Sequence, residues 1–329
     1  MSGVKLPKIW VTGGTGFLGQ HVLQALEPVS MTCVTTSRPD NTPYGDSKSN
    51  GIQTCDLLRD KETIDAIVKY YKPDVIIHLA ASVGGIGANM NNPGKFMYEN
   101  LQMGMNILES VRQNNPTTKI VNVGTVCSYP KYTPIPFMEE DFWNGYPEET
   151  NAPYGIAKKA LIEMSIAYEK QYGIKTNNLI LANLYGPGDS LDLVNNHVVP
   201  AMIKKFLTTK DGEILTLWGD GTPTRDFLFV KDAAHAIFLA ATTDRIPSAS
   251  PINIGTGVET SMFVLSRMIA NLTNFDCRNL EWNRQMPNGQ PRRVLDTRKA
   301  AEILDWRANT RLIHGLEDTV RWMKCQLHA

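Results

Sequence analysis

A cluster of glycines directly after a short apolar run constrains this chain more than any other feature. The run is Lys8–Thr12, and the glycines follow in Gly13-Gly14-Thr15-Gly16-Phe17-Leu18-Gly19. Apolar residues then recur at helical spacing, at Val22, Leu23, Ala25 and Leu26. A strand, a glycine turn and a helix in this order place backbone N–H groups where they bind a dinucleotide pyrophosphate. An ordinary tight turn is the alternative, but the strand and helix patterns that follow favour dinucleotide binding.

The end of the second predicted strand indicates which dinucleotide is bound. This strand is expected near residues 31–36, and it ends in Ser37-Arg38 rather than in an acid. A carboxylate there would bond the ribose hydroxyls, whereas an Arg beside a small hydroxyl residue suits a 2′-phosphate. NADP(H) is therefore the expected cofactor, although surface Arg residues are common after strands. Asp56-Leu57, after a third short strand, is expected to flank the adenine.

Three residues have the types and order of a proton-donating group in nicotinamide-dependent carbonyl chemistry. They are Thr125, Tyr154 and Lys158. A phenol normally titrates near about pH 10, so proton transfer at neutral pH requires a nearby cation that stabilises the phenolate. Tyr154 and Lys158 lie four apart, hence on one face of a helix, and Lys158 supplies that cation. A stripe of solvent-exposed Tyr and Lys side chains on the helix is the alternative.

Cys127 adds an ionisable thiol to the same surface, which suggests a second activity.

Composition excludes several other classes of protein. The chain has 329 residues and no formal net charge, so we expect no nucleic-acid partner. No apolar run approaches the roughly 18 residues of a membrane span, so no membrane partner is expected either. The first strand starts near residue 8, so we expect no signal peptide. Five cysteines without a Cys-x-x-Cys motif indicate a reducing compartment, and we expect a cytoplasmic protein without a metal site.

The order of the predicted elements defines the fold class. The strand expected at residues 119–123 delivers Thr125 and Cys127 to its carboxyl end, where open α/β sheets bind ligands. The class is therefore α/β, a Rossmann-like doubly wound parallel sheet with a smaller C-terminal α/β part. We expect an NADP-binding domain over 1–185, to which 226–256 return, and a substrate-binding domain over 186–225 and 257–329. Two long helices, over 94–113 and up to about residue 172, are expected to pair with a twofold mate in a homodimer.

Several motifs together resemble the extended short-chain dehydrogenase/reductase family, in its nucleotide-sugar branch. The general ones are the glycine run, the Tyr154/Lys158 pair and Asn183-Leu184-Tyr185-Gly186-Pro187. The more specific ones are His78-Leu79-Ala80-Ala81-x-Val83-Gly84-Gly85-Ile86-Gly87-Ala88-Asn89, Cys127-x-Tyr129-Pro130-Lys131, Asn195-x-His197-Val198-x-Pro200 and Trp218-Gly219-x-Gly221-Thr222-Pro223-x-Arg225. These resemble the GDP-L-fucose synthases, and the similarity covers nearly the whole chain.

This resemblance implies an activity and a role for each catalytic residue. Such enzymes take GDP-4-keto-6-deoxy-D-mannose, epimerise C3 and C5, and then reduce the C4 ketone with NADPH. Cys127 is implied as the base and His197 as the acid of the epimerisation. A thiol with a pKa of about 8.5 and an imidazole with a pKa of about 6.5 suit these roles at neutral pH. The Thr125, Tyr154 and Lys158 cluster stabilises the enolate, and Tyr154 later protonates the C4 oxygen.

The resemblance also implies further binding residues, each of which has a structural role as its alternative. The additional cofactor-binding residues are Leu79, Ala80, Ala81, Val123, Leu181, Asn183 and Leu184, together with Tyr154, Lys158 and His197. The substrate-binding residues are Gly85, Asn183, Lys205, Trp218, Arg225, Arg292 and Asp296.

Departures from the family pattern leave the sugar open. Val126 replaces a Ser and so removes a hydroxyl expected near the sugar, Lys205 replaces an Arg, and Gln290 replaces a Thr. A GDP-4-keto-3,6-dideoxy sugar of the colitose type or a GDP-4-keto heptose would need the same groups, and C4 reduction alone is a further alternative. An NAD-dependent sugar 4-epimerase or dehydratase would not need Cys127 with His197. A non-catalytic NADP(H)-sensing module would be expected to lose Tyr154 or Lys158.

Overall fold

The computed structural model describes residues 7–27, 31–36, 52–191 and 197–327, and for 31–36 and 52–54 it describes the backbone alone. The strands are β1 Lys8–Thr12, β2 Met31–Thr36, β3 Ile52–Thr54, β4 Val75–His78, β5 Lys119–Thr125, β6 Thr176–Leu181, β7 Asn183–Tyr185, β8 Leu215–Trp218, β9 Thr224–Phe229, β10 Ile252–Ile254, β11 Glu259–Ser261 and β12 Leu280–Asn283. The α-helices are α1 Phe17–Leu26, α2 Lys61–Ala66, α3 Ile86–Asn91, α4 Pro93–Asn114, α5 Ala152–Tyr172, α6 Val198–Thr208, α7 Val230–Thr242, α8 Met262–Thr273, α9 Arg298–Leu304 and α10 Leu312–Leu327.

Seven strands form a parallel central sheet in the order β10-β6-β5-β4-β1-β2-β3. Every described side chain of β4 and β6 is buried, as expected for strands covered on both faces. The order of the strands reverses between β1 and β4, and ligands of doubly wound sheets bind at the carboxyl ends of the strands at such a point. The predicted Rossmann-like α/β class is confirmed.

Helices cover both faces of this sheet. Helices α1 and α7 pack together on one face, above a core that includes Val22, Leu26 and Ile237. Helices α4 and α5 pack together on the other face, where Gly104 has no side chain and Leu161 lies against it. Among the described helices, none has the length and apolarity to cross a lipid bilayer.

The C-terminal half builds a second body with its own apolar core. Helices α6, α8 and α10 surround a cluster that includes Tyr185, Phe206, Leu265 and Leu316. Two small sheets complete it, one with the order β11-β9-β7 and one that pairs β12 with β8 in parallel. Strand β10 returns to the edge of the central sheet beside β6. The predicted division into two domains stays a prediction.

A buried carboxylate joins the second body to the central sheet. Asp226 in β9 has no exposed surface and accepts hydrogen bonds from the Thr256 N–H at 3.0 Å, the Thr256 hydroxyl at 2.6 Å and the Gly257 N–H at 3.1 Å. Thr256 and Gly257, which supply these three donor groups, belong to the turn that follows β10. Burial raises the pKa of Asp226, and these hydrogen bonds act in the opposite direction.

We expect Asp226→Ala to lower the free energy of unfolding by about 3 kcal/mol, because the N–H groups of Thr256 and Gly257 lose a buried, charged acceptor. Urea denaturation followed by fluorescence measures this loss. The matched control is Asp244→Ala, which removes a carboxylate whose side chain is 95% exposed, and it should leave the midpoint of unfolding unchanged. Equal midpoints for the two variants would contradict the structural role of Asp226.

Candidate active site

The glycine turn after β1 forms a cradle that fits a pyrophosphate. Gly13 has a φ of 69°, and a Cβ there would lie 2.8 Å from the Ala80 nitrogen. A Cβ on Gly19 would overlap the Gly13 carbonyl oxygen and the Gly14 backbone. Helix α1 starts after Gly16 with no side-chain cap and no acidic residue in its first turn. The N-terminus of α1 can therefore receive a phosphate, which suits the predicted role of residues 13–19.

The residues predicted to surround the rest of the cofactor lie at the carboxyl ends of neighbouring strands. The Leu79 N–H donates to the Thr12 carbonyl at 3.2 Å, and Ala80 packs against Gly13, so Leu79, Ala80 and Ala81 follow β4 beside the glycine turn. The Asp56 carboxylate accepts from the Leu58 N–H at 2.9 Å, while Leu57 is buried in the core. Ser37 and Arg38 lie outside the described residues.

Helix α5 brings Lys158 to the end of β5. The Lys158 ammonium donates to the Val123 carbonyl at 3.0 Å, and burial lowers the pKa of Lys158 to about 8. A Cβ on Gly155 would overlap the Cys127 carbonyl, so only glycine permits this approach of the helix. The Ser128 hydroxyl donates to the Gly155 carbonyl at 2.8 Å and holds the helix there.

Tyr154 faces Thr125 and Cys127. Burial raises the pKa of Tyr154 and the charge of Cys127 raises it further, whereas a hydrogen bond with Thr125 lowers it. The Thr125 hydroxyl accepts from the Cys127 N–H at 3.2 Å. Tyr154 therefore carries its proton at neutral pH, and the structure brings the predicted hydroxyl, phenol and thiol together.

The Cys127 thiol has a cationic neighbour that the motifs did not identify. Arg293 donates from Nη1 to the Cys127 sulfur at 3.2 Å and, at 3.4 Å, to the Asn183 side-chain oxygen. Its Nε donates to the Gln290 side-chain oxygen at 2.9 Å. The Gln290 amide nitrogen in turn donates to the Pro130 carbonyl at 3.2 Å and to the Lys131 carbonyl at 2.9 Å. The loop over 288–293 is therefore tied to the segment that carries Cys127.

His197, directly before α6, pairs with a buried carboxylate. Its Nδ1 lies 3.2 Å from Oδ2 of Asp189, whose side chain is 4% exposed, whereas the His197 side chain is 42% exposed. Burial acts to lower the pKa of His197, but the hydrogen bond and charge of Asp189 outweigh burial and raise it. The carboxylate holds the proton on Nδ1 and leaves Nε2 for other partners. Asn195, the first residue of this motif, lies outside the described residues.

Four of the seven predicted substrate residues, which we call the wall of the site, lie at the start of α3, in α6, in β8 and in β9; they are Gly85, Lys205, Trp218 and Arg225. The Trp218 ring is half exposed and lies near Gly87, which follows Gly85 at the start of α3. Lys205 donates to the Thr216 carbonyl at 3.4 Å on the same strand as Trp218, and burial lowers the pKa of Lys205. Arg225 is buried and donates to the carbonyls of Thr224 and Gln290 at 2.7 and 2.6 Å.

Three residues that were predicted to lie near the substrate have other contacts in the structure. Arg292 pairs with Glu259 and its side chain is 57% exposed, while its neighbour Arg293 points at the thiol. Asp296 pairs with Arg298 at 2.8 Å and accepts from the Arg298 N–H at 2.9 Å, which places it at the start of α9. Val126 is 2% exposed and packs in the core, so its side chain is not available to a sugar, in contrast to the expectation for this position. The remaining predicted residues, Leu181, Asn183 and Leu184, lie in β6 and β7.

Sequence reasoning missed Arg293 and Asp189. Arg293 stands beside Arg292 in a run of two arginines, and nothing in the sequence says which one faces the thiol. Asp189 follows the Tyr185-Gly186-Pro187-Gly188 turn, and its distance of eight residues from His197 gave no signal. Within the described part of the chain, no group of three or more His, Cys, Asp or Glu side chains could hold a metal ion.

Comparisons with known proteins agree with this geometry. Residues 9–255 match the model of the NAD dependent epimerase/dehydratase family. GDP-L-fucose synthase of Sinorhizobium fredii is 36% identical over 312 residues, which are 94% of this chain and 93% of that protein. GDP-L-colitose synthase of Yersinia pseudotuberculosis is 32% identical over 96% of this chain and 97% of its own.

A solved structure shows the same architecture throughout. UDP-glucose 4-epimerase of Thermotoga maritima, solved with UDP-glucose, superposes with a TM-score of 0.85 at 26% identity and covers 97% of this chain and 99% of its own. The resemblance predicted from the motifs is confirmed, and the chain belongs to the NAD dependent epimerase/dehydratase family, whose members are extended short-chain dehydrogenases/reductases.

Proposed function

We propose that this chain converts GDP-4-keto-6-deoxy-D-mannose to GDP-L-fucose by inverting C3 and C5 and then reducing the C4 ketone with NADPH. One observation carries the proposal: Cys127 lies at the reduction trio and accepts a hydrogen bond from Arg293. A reductase alone needs Tyr154, Lys158 and Thr125 but no thiol. The relative from Sinorhizobium fredii is named for the same product, GDP-L-fucose, which supports the proposal.

Inversion begins with the removal of a proton from the carbon beside the ketone. The Cys127 thiolate takes the proton from C3 or C5, and the electron pair of that C–H bond moves onto the C4 oxygen as an enolate. The Tyr154 and Thr125 hydroxyls lie at the same end of β5 and stabilise this oxygen. Preorganised donors of this kind act without reorganisation as the charge develops.

The proton must return on the opposite face of the ring. Protonated His197 is the acid, and the Asp189 carboxylate keeps it protonated to a higher pH than an isolated imidazole. After His197 donates its proton to the carbon, the ketone re-forms with the opposite configuration. After the first inversion Cys127 carries a proton and His197 lacks one. Cys127 must therefore release a proton to solvent and His197 must take one up before the pair inverts the second carbon.

Reduction uses the same oxygen. When bound, NADPH supplies a hydride to C4. Tyr154, whose raised pKa keeps it protonated, donates its proton to the C4 oxygen as the alkoxide forms. The Lys158 ammonium, fixed on the Val123 carbonyl, supports the resulting phenolate from the same helix face.

The glycine cradle and the wall of the site support the cofactor and substrate classes. The choice of NADP(H) rests on Ser37-Arg38, which suits a 2′-phosphate. For the nucleotide part of the substrate we propose Lys205, Trp218 and Arg225, because they offer a half-exposed aromatic ring and two cations. Gly85, Asn183, Arg292 and Asp296 remain proposed contacts.

A second candidate is the same chemistry on a GDP-4-keto-3,6-dideoxy sugar. The relative named GDP-L-colitose synthase favours it, and the groups that act on C5 and C4 would be the same. The experiment that tests the proposal supplies GDP-4-keto-6-deoxy-D-mannose and NADPH in D₂O. Loss of NADPH with deuterium at both C3 and C5 of the product selects the first candidate. Loss of NADPH without deuterium would mean C4 reduction alone, and a requirement for NAD without net oxidation would mean a sugar 4-epimerase.

We also propose a cytoplasmic homodimer with an NADP-binding domain over 1–185 and 226–256. Met97, Tyr98 and Met105 on α4 and Tyr172 on α5 are exposed and offer an apolar face to a twofold mate. The cytoplasmic location rests on the number and spacing of the cysteines. Sedimentation equilibrium tests the dimer, and a mass near 36.6 kDa would mean a monomer.

We expect Cys127→Ser to reduce deuterium incorporation at C3 and C5 at least 100-fold, because a serine hydroxyl is far less acidic than a thiol and stays protonated at neutral pH, so it cannot take up the proton. The measurement is NMR of the sugar after incubation with the variant in D₂O. Cys325→Ser, at an exposed cysteine far along the chain, is the control and should behave as wild type. Unchanged deuterium uptake in Cys127→Ser would remove the thiol from the mechanism.

Tyr154→Phe should slow NADPH oxidation about 100-fold or more, because the C4 oxygen loses its proton donor. The absorbance of NADPH during turnover reports this rate. Tyr70→Phe removes the hydroxyl of an exposed tyrosine and should have no effect. A Tyr154→Phe variant that oxidises NADPH at the wild-type rate would show that another group protonates C4.

Asp189→Asn should shift the high-pH limb of epimerisation to lower pH. His197 must be protonated to act as the acid, so activity is present below its pKa and is lost as pH rises through it. Asp189 raises that pKa, so removal of its charge moves the loss to lower pH. Deuterium incorporation measured across pH tests this, with the exposed Asp211→Asn as control. If the high-pH limb of Asp189→Asn coincided with that of wild type, Asp189 would not control the protonation of His197.

A further inference from the structure

Arg293 is a buried cation that contacts no carboxylate among the residues that the structure describes. It is 4% exposed, and its guanidinium donates to the Cys127 sulfur and to the side-chain oxygens of Gln290 and Asn183. Among residues 7–27, 52–191 and 197–327, no acidic side chain lies within ion-pair distance of it. A buried guanidinium is costly unless an anion offsets its charge.

A second guanidinium makes the need for an anion stronger. Arg225 is also buried, and burial together with the charge of Arg293 lowers the pKa of Arg225 to about 9, while the charges of Cys127 and Glu148 act in the opposite direction. Within the described part of the chain, the Cys127 sulfur is the one ionisable atom that accepts a hydrogen bond from Arg293. Deprotonation of this sulfur places a negative charge beside the two cations.

The same loop that supplies Arg293 reaches the wall of the site. The Asn288 side-chain oxygen accepts from the Asp220 N–H at 3.1 Å, two residues after Trp218. A Cβ on Gly289, which has a φ of 68°, would lie 3.2 Å from Ile86 and 3.3 Å from the Arg225 guanidinium. One short loop therefore contacts the substrate wall and the sulfur.

We propose that Arg293 is a positioning residue for Cys127: its guanidinium holds the sulfur as a thiolate and aims it at the proton to be removed. The planar fork spans the sulfur and Gln290 together, and Gln290 anchors the fork to the backbone at Pro130 and Lys131. A hydrogen bond from a cation favours the charged form of its acceptor. The part of this role that concerns epimerisation rests on the proposed function, whereas the thiolate itself does not.

A different role for the same residue makes different predictions. If Arg293 served to bind the substrate diphosphate, its loss would raise KM and leave the reactivity of the free thiol unchanged. If Arg293 positions the thiolate, its loss slows alkylation of Cys127 in the free protein and lowers kcat for epimerisation with little change in KM.

The deciding experiment is alkylation of Cys127 by iodoacetamide at fixed neutral pH, in substrate-free protein, followed by mass spectrometry of the peptide that contains Cys127. We expect Arg293→Met to slow alkylation about 10-fold, because the sulfur loses a charge-assisted hydrogen bond. The control is Arg278→Met, which removes an arginine that is paired with Asp276 and 89% exposed, and it should stay within about twofold of wild type. A wild-type rate in folded Arg293→Met overturns the proposal.

NADPH binding and a second variant show whether slower alkylation of Arg293→Met results from misfolding. NADPH binding to Arg293→Met should stay within about threefold of wild type, because Arg293 does not contact the glycine cradle or Lys158 and its hydrogen bond to Asn183 is long, at 3.4 Å. If Arg293→Met does not fold, Arg293→Lys decides: its ammonium keeps the charge without the planar fork, and we expect alkylation about threefold slower. An unchanged rate in Arg293→Lys would then overturn the proposal.

Turnover completes the test. With GDP-4-keto-6-deoxy-D-mannose in D₂O, Arg293→Met should incorporate deuterium at C3 and C5 about 10-fold more slowly at saturating substrate. A raised KM with unchanged kcat would assign Arg293 to substrate binding and overturn its positioning role. If wild type shows no turnover, the proposed function fails, whereas slower alkylation of the variant would still establish the thiolate contact.

Discussion

The absence of a side chain at residue 155 allows helix α5 to approach the end of strand β5. A Cβ on Gly155 would overlap the Cys127 carbonyl, and the Ser128 hydroxyl bonds to the Gly155 carbonyl across the same contact. Tyr154 and Lys158 flank this glycine on the helix, so their positions relative to Thr125 and Cys127 follow from it. The helix, the strand end and the short turn between them act as one rigid unit, which is what proton transfer between fixed groups requires.

Each of the two groups proposed for inversion has a partner of opposite charge. Cys127, the proposed base, receives a hydrogen bond from a buried guanidinium, and His197, the proposed acid, pairs with a buried carboxylate. The carboxylate raises the pKa of His197 and so favours the protonated imidazole. The guanidinium of Arg293 fixes the direction of the sulfur through its hydrogen bond.

The site is assembled from segments far apart in the chain. The turn after β1, the ends of β4 and β5, the start of α5 and the loop over 288–293 all converge at the carboxyl edge of the central sheet. Gln290 donates a hydrogen bond to the Pro130 carbonyl and so ties the loop over 288–293 to the segment after β5. Asp226 accepts a hydrogen bond from the Thr256 N–H and so ties β9 to the turn after β10. Unpaired buried polar groups are costly, so these bonds hold the second body in register with the sheet that carries the catalytic residues.

The sequence by itself determined the fold class, the glycine cradle, the helix that carries Tyr154 and Lys158, and the candidate thiol. These depend on short-range features, namely glycine spacing, apolar runs and helical periodicity, which are visible within about twenty residues. Only the tertiary structure decided that Arg293 rather than Arg292 faces the sulfur, that Asp189 supports His197, and that Val126 points into the core. The direction in which a loop side chain points depends on packing between segments distant in sequence, and no local pattern records that packing.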